Sequence, residues 1–239
     1  MNALVTMTIG ESPIWAYTLP PMYAACLRHG WAFEQIAMRK SHLARYSDPA
    51  MNLMFEKFQT MDYLDRYDRV LMLDADALMS PHCPDVFEAV PEEAIGGVFE
   101  DVGSRAKSRS MEIAKIKELA IDPRLGDWRT GYMNSGVMVL SRCHREALTL
   151  DFNDVMVRDV SLRRVFPDQN VMNYLCRRSG WPIVDLGYKW NHMTMFSEEW
   201  NGAPDWHDSH ILHYAGMKEE ERLACAPGDY ADWWEEEGG

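Results

Sequence analysis

Cysteine pairs, excess basic charge and long apolar runs are what this sequence lacks. Its 239 residues hold only Cys26, Cys83, Cys143, Cys176 and Cys225, with no CxxC spacing. An odd, scattered set fits neither a disulfide framework nor a zinc ribbon, so a reducing compartment is expected. Lys and Arg number 24 against 37 Asp and Glu, for a formal net charge of -13. Such a chain repels phosphate backbones and anionic lipid, which argues against nucleic acid as the main partner. No apolar run approaches the roughly 18 residues of a membrane span. The opening MNALVTMTIGESPIW has no basic stretch ahead of its apolar residues, as a secretory leader would. We therefore expect a soluble, cytoplasmic protein with no transmembrane segment. Internal repeats and low-complexity linkers are also missing, which leaves a single domain as the simplest organisation.

What is present is a pattern of short apolar runs between helix-like segments, with 47% hydrophobic residues to fill a core. Runs of strand length occur at Leu4 to Ile9, Val70 to Leu73, Ile95 to Phe99, Val137 to Leu140, Ile183 to Leu186 and Ile211 to Tyr214. Helical spacing marks Thr18 to His29, closed by Gly30, then Asn52 to Leu64 and Ser110 to Ala120. Strands alternating with helices predict an α/β fold with a mixed, mostly parallel sheet flanked by helices. The Pro-Gly pair in APGDYADWWEEEGG sets an acidic tail, 226–239, apart from a domain over 1–225, the tail being either a terminal helix that packs Trp233 and Trp234 on the body or a partly disordered end, with a docking site for a partner as a lesser option.

The stretch VLMLDADALM, 70–79, drives an apolar strand into two acids. Positions two apart on a strand share a side, so Asp74 and Asp76 are predicted to stand together at the strand's carboxyl end, where open α/β sheets bind ligands. Two close carboxylates repel unless a cation lies between them, and a hard divalent ion such as Mn²⁺ or Mg²⁺ answers that need. A solvated turn begun by Asp is the plain alternative, and the aspartyl nucleophile of haloacid dehalogenase-type phosphatases is another. The latter motif usually opens a chain and continues with Gly-Thr, unlike Ala77, Leu78 and Met79 here.

Three further segments carry chemistry. GYMNSGVMVLSR, 131–142, sets Asn134, Ser135 and Gly136 at the start of a strand, where Gly permits close backbone approach. FPDQNVMNYLCRRSG, 166–180, places Asp168 and Gln169 before a helix pattern, and an N-cap role for Asp168 competes with a functional one. In WHDSHILHYAGMK, 206–218, three His recur every three residues. On a strand His210 and His213 face opposite sides, so one ion cannot use both. Lys218 is a cation suited to phosphate.

Taken in order, FEKFQTMDYLDRYDRVLMLDAD, YMNSGVMVLSR, DQNVMNYL, LGYKWN and ILHYAGMK resemble the family 8 retaining glycosyltransferases, across roughly residues 53 to 218. The resemblance implies a glycosyltransferase A-type fold, with a nucleotide-binding half over about 1–100 and a sugar or acceptor half over about 101–225. It implies a nucleotide-sugar donor, a UDP-hexose such as UDP-glucose or UDP-galactose, and Mn²⁺ (or Mg²⁺) held by Asp74, Asp76 and His213. By the same resemblance Gly216 and Lys218 would meet the diphosphate, Lys57 and Ser135 the donor, and Thr8, after Thr6 and Met7, would sit at the base-binding strand end. Asn134, Asp168 and Gln169 would lie around the reacting sugar. Lys218 stands five residues after His213 where the family usually has six, and Glu219, Glu220 and Glu221 replace its customary Pro-Trp.

Same-face attack is expected, because Gln is a poor nucleophile and Asp168 is assigned to orientation. The runner-up readings are a sugar nucleotidyltransferase, which would need a Gly-rich basic loop that MTIGESPIW does not supply, and a non-catalytic nucleotide-sugar-binding protein. Arg105, Lys107, Arg109, Lys115 and Lys117 form a solvated face or a guide for anions; Trp128, Trp190, Trp200 and Trp206 form core or an acceptor platform. The acceptor, whether glycan, lipid-linked or protein, and the oligomeric state are left open by the sequence.

Overall fold

Strands that read as unbroken apolar runs must be covered on both faces, and the fold follows from that requirement. The computed structural model describes residues 1–40, 53–151, 153–154, 157, 167–193 and 205–234. In chain order its strands are β1 (Asn2–Met7), β2 (Ala32–Ile36), β3 (Arg69–Leu73), β4 (Ala77–Met79), β5 (Ile95–Phe99), β6 (Met133–Ser141), β7 (Ile183–Asp185), β8 (His192–Met193) and β9 (Ile211–His213). The long helices are α1 (Trp15–His29), α2 (Ala106–Ala120), α3 (Pro167–Ser179) and α4 (Glu219–Trp234).

Six strands form one sheet in the order β2-β1-β3-β6-β5-β7. β1 lies parallel to β2 and β3, and β5 parallel to β7, while β6 runs antiparallel to both its neighbours. The mixed, mainly parallel sheet expected from the sequence is therefore present. Alternation divides its side chains between two cores. Ala3, Val5, Val70, Met72, Met138 and Leu140 pack beneath α2 and α3, while Leu4, Leu71, Leu73, Val137 and Val139 pack against Met22, Ala25 and Cys26 of α1. Gly30 ends α1 in the left-handed region, φ 69°, its N–H donating to the Cys26 carbonyl.

A second sheet, β4-β9-β8, joins β9, which falls in the expected run Ile211 to Tyr214, to two strands the sequence pattern did not show. Those two, β4 and β8, are three and two residues long, below what periodicity resolves. β4 and β9 pair antiparallel with Ala77 opposite His213, Leu78 opposite Leu212 and Met79 opposite Ile211. Leu78, Leu212 and Tyr214 join Ile14, Ala226 and Trp233 in a third buried cluster.

Of the two expectations for the tail, that cluster matches the helix that packs its Trp on the body, and the Pro-Gly pair does not interrupt it. Helix α4 runs from Glu219 through Pro227 and Gly228 to Trp234. An interior Pro costs about 3 kcal/mol, but burying Trp233, which meets the Trp206 ring edge-on at 4.9 Å, offsets it. Residues 235–239 lie outside the described part, as does Asn52, where one helix was expected to begin. The rest of that segment is helical as expected: residues 53–55 lead through a 3-10 turn at Glu56–Gln59 into a helical turn at Thr60–Tyr63.

Truncating Trp233 to Ala removes the centre of the third cluster and should lower unfolding free energy by about 3–5 kcal/mol, read by urea titration. A change under about 1 kcal/mol would mean that α4 does not hold the second sheet in place.

Candidate metal and donor site

Strand β3 stops at Leu73, so Asp74, Ala75 and Asp76 do not lie on it. They form the turn that carries the chain from the large sheet to the small one, with the Ala77 N–H donating to the Asp74 carbonyl at 3.1 Å. The acids share a side because of this turn and not by strand alternation, which corrects the expectation. Backbone bonds pin the turn from both sheets: the Asp74 N–H donates to the Gly136 carbonyl at 2.8 Å, and the Tyr214 N–H to the Asp76 carbonyl at 3.1 Å.

The pairing of Ala77 with His213 then brings the imidazole to the acids. Its Nε2 lies 3.2 Å from Asp76 Oδ1 and 3.8 Å from Asp74 Oδ2. One ligand atom from each of Asp74, Asp76 and His213 lies within 4.8 Å of the others, the only such metal-compatible group among the described residues. His207 instead bonds Asp205, and His210 packs on the Trp190 ring, so the three His do not converge. Gly136 is what lets the ring in. A Cβ there would stand 2.3 Å from His213 Cε1, although Gly136 is not among the glycines with positive φ. The requirement is space for the imidazole, where the sequence suggested close approach to a ligand.

Around these ligands stand two cations. Lys57 Nζ lies 2.7 Å from Asp74 Oδ1 and 3.5 Å from Asp168 Oδ2. Arg222, which the sequence reading passed over inside the run KEEER, reaches Asp76 Oδ2 at 3.1 Å from the first turn of α4. Burial disfavours the Asp76 charge, but the His213 ring, Arg222 and Lys57 outweigh it and hold this carboxyl well below the usual carboxylate range. For Asp74 burial dominates over Lys57 and the carboxyl is raised. Burial also works against the Lys57 ammonium, yet Asp74 and Asp168 prevail and raise its pKa.

A second polar group lies beside the first. β6 is paired with β5 through an irregular register that jumps from Met138 to Asn134 between Gly97 and Val98. Residues 135–137 are thereby spared from the ladder to β5, as at bulges near functional sites. Ser135 donates its hydroxyl to Asp168 Oδ2 at 3.1 Å, and Gln169 Oε1 accepts from the Ser135 N–H at 3.2 Å. Helix α3 is described from Pro167 onward. Asp168 is thus inside the helix, bonded to Ser135 and Lys57, and is not the N-cap the sequence offered as an alternative. Glu100, 1% exposed, accepts from Asn134 Nδ2 at 3.0 Å and Gln169 Nε2 at 2.8 Å, and pairs with Arg109. Its sequence signal was an acid at the end of an apolar strand, the same signal that marked Asp74.

A cavity of about 450 Å³ connects the two groups, with Lys57, Asp74, Asp76, Asn134, Gln169 and Arg222 in its wall. Ser135, Asp168, His213 and Gly216 line it too. Thr8 does not: Met7 and Ile9 line the wall, and the Thr8 N–H continues the β1–β2 ladder to the Ile36 carbonyl. Nor does Lys218. It is exposed, its N–H bonds Glu221, and Arg222 supplies the cation one helical turn later. Arg109 is buried against Glu100 instead of lying on a solvated face. Trp128 and Trp190 are core, Trp206 packs on Trp233, and Trp200 lies outside the described residues.

This donor set fits a hard divalent cation. Two carboxylates and one imidazole are ligands of the kind Mn²⁺ or Mg²⁺ takes, with the cations Lys57 and Arg222 each paired to one of the two acids.

The sequence matches the model of glycosyl transferase family 8 over residues 23–219. No curated protein matches it. Among solved structures, it is similar to a glycosyltransferase involved in glycosylation of the major capsid of PBCV-1, with TM-score 0.61, 12% identity, and 95% and 98% of the two chains covered. It is also similar to the galactosyltransferase LgtC solved with donor and acceptor sugar analogs, with TM-score 0.56, 13% identity, and 95% and 96% covered. For mouse xyloside xylosyltransferase 1 the values are 0.53, 16%, 90% and 98%. At these identities the likeness is one of fold.

Gly136→Ala should displace the His213 ring and weaken Mn²⁺ binding at least about 10-fold, the order seen when a ligand's orientation is lost, with the fold retained by circular dichroism. Unchanged affinity by calorimetry would show that the ring does not depend on this opening.

Proposed function

We propose, starting from the fact that the chain belongs to glycosyl transferase family 8 and is a glycosyltransferase, that it moves a hexose from a UDP-hexose to an acceptor hydroxyl with retention of configuration. The observation that carries the reading is the meeting of Asp74, Asp76 and His213 from separate segments beside a cavity lined by amides and acids. These three residues would hold Mn²⁺ or Mg²⁺. When bound, the ion supplies Lewis-acid stabilisation of the charge that develops on the departing diphosphate, worth several kcal/mol.

The chain's own groups do the rest. Arg222, which lines the cavity and pairs with Asp76, is the cation this reading assigns to a diphosphate oxygen in place of Lys218, which does not line it. Gly216, φ 71°, lets the backbone approach the same region. Asn134 and Gln169 hold their amides in a buried network anchored on Glu100, which preorganises them as partners for sugar hydroxyls. Asp168 shares its carboxylate with Ser135 and Lys57 and so acts as an orienting group. The Gln169 amide is bonded at both ends. An amide is a poor nucleophile and Asp168 is assigned to orientation, which favours same-face attack. As the sugar–phosphate bond breaks, the acceptor oxygen bonds the anomeric carbon and its proton passes to the leaving phosphate oxygen. Family membership favours transfer over nucleotide-sugar synthesis.

Hydrolysis of UDP-glucose, UDP-galactose and UDP-glucuronate with Mn²⁺ tests the reading without an acceptor. Asp76→Asn should reduce UDP release at least about 100-fold, as a loss of several kcal/mol of charge stabilisation requires, and excess EDTA should abolish it. Full activity in EDTA would overturn the metal assignment.

A further inference from the structure

The hydrogen bonds behind His213 have a direction, and a backbone amide sets it. The Gly136 N–H lies 2.8 Å from one side-chain atom of Asn134. A backbone N–H can only donate, so that atom is Oδ1. The other end of the same amide is then Nδ2, which faces the Glu100 carboxylate, an acceptor, at 3.0 Å. Both ends agree on one amide orientation, with Oδ1 toward Gly136 and Nδ2 toward Glu100.

Asn191 comes next. It meets the same Asn134 Oδ1 at 3.0 Å and therefore does so with Nδ2. Its own Oδ1 is left pointing at His213 Nδ1, 2.7 Å away. An amide oxygen only accepts, so Nδ1 carries a proton. The far ring nitrogen, Nε2, is the one aimed at Asp76 and Asp74. Asn191 is fully buried, and His213 is 2% and Asn134 7% exposed, so water has little access to break the chain.

We propose that Asn191 is a positioning residue: it holds His213 with the proton on Nδ1 and Nε2 turned to the acids, and ties that ring to Asn134 on the sugar side of the cavity. Histidines that bind metals generally donate their second N–H to an oxygen, which fixes the tautomer and raises the basicity of the coordinating nitrogen. Here the oxygen belongs to an amide whose other end is bonded to the candidate sugar-binding group. A rotation of Asn134 to suit a sugar hydroxyl would therefore be felt at the metal ligand through one intervening side chain. The functional consequence rests on the metal reading given above; the placement of the proton does not.

Histidine-selective ¹⁵N labelling and NMR of the metal-free protein reads the proton directly, and calorimetry with Mn²⁺ reads the consequence. In the wild type, His213 Nδ1 should give a protonated-type shift with a slowly exchanging N–H. Asn191→Leu should lose that protected proton and weaken Mn²⁺ binding about 10–100-fold. Asn191→Asp keeps an acceptor at the same place and should restore the Nδ1 proton, which a purely space-filling role would not achieve. Should the Leu variant fail to fold, the wild-type and Asp spectra still decide. A wild type with Nδ1 unprotonated overturns the inference whatever the metal does, as does a folded Leu variant with unchanged Mn²⁺ affinity. A wild type with Nδ1 protonated that binds no Mn²⁺ supports the inference while removing the metal reading.

Discussion

Antiparallel pairing of β4 with β9 is the constraint on which the site depends. Ala77 and His213 are far apart in sequence and stand opposite one another in the small sheet. A one-residue slip in that register would turn the imidazole to the other side. Two strands of three residues cannot hold such a register unaided. They are held by Leu78 and Leu212 in the cluster under α4, and by the bond from Tyr214 to the Asp76 carbonyl. Stability and function are thereby joined: the C-terminal helix that buries Trp233 is also the helix that sends Arg222 into the cavity.

The polar interior follows a second rule, that buried donors and acceptors must be matched. From Arg109 through Glu100, Gln169, Asn134 and Asn191 to His213 the partners form one connected set. Its carboxylates are each met by a cation or an amide: Glu100 by Arg109, Asp74 by Lys57, Asp76 by Arg222. Such a set is costly to assemble piecemeal and rigid once complete, which is what a site must be if it is to hold dipoles toward developing charge without reorganising.

Much of this could be read from residues alone. The apolar runs of β3 and β5 and the Gly30 stop of α1 follow from periodicity and capping, the Asp74–Asp76 pair follows from two acids ending an apolar run, and the family resemblance adds His213 to them. Less legible were β4 and β8, too short to show a period, and β2, whose AFEQI mixes polar and apolar residues. Pro227 and Gly228 left the tail open between a packed helix and a loose end, and the helix runs through them because local propensity yields to tertiary burial. Lys218 and Arg222 show the same limit from the other side: within GMKEEER either cation could serve a phosphate, and only the helical turn decides which one faces inward. Glu100 carried the same strand-end signal as Asp74 but was passed over, and Asn191 was invisible as a functional residue because its role lies in whom it bonds, which a linear string does not state.

Electron spin-echo spectroscopy of the Mn²⁺-loaded protein with UDP tests the central claim most directly. Coordination by Asp74, Asp76 and His213 with the diphosphate requires modulation from one imidazole ¹⁴N together with ³¹P couplings, the nitrogen signal disappearing in His213→Ala. Phosphorus coupling with no nitrogen in the wild type would contradict the account, since the ion would then lie away from the ring that β4 and β9 bring to the acids.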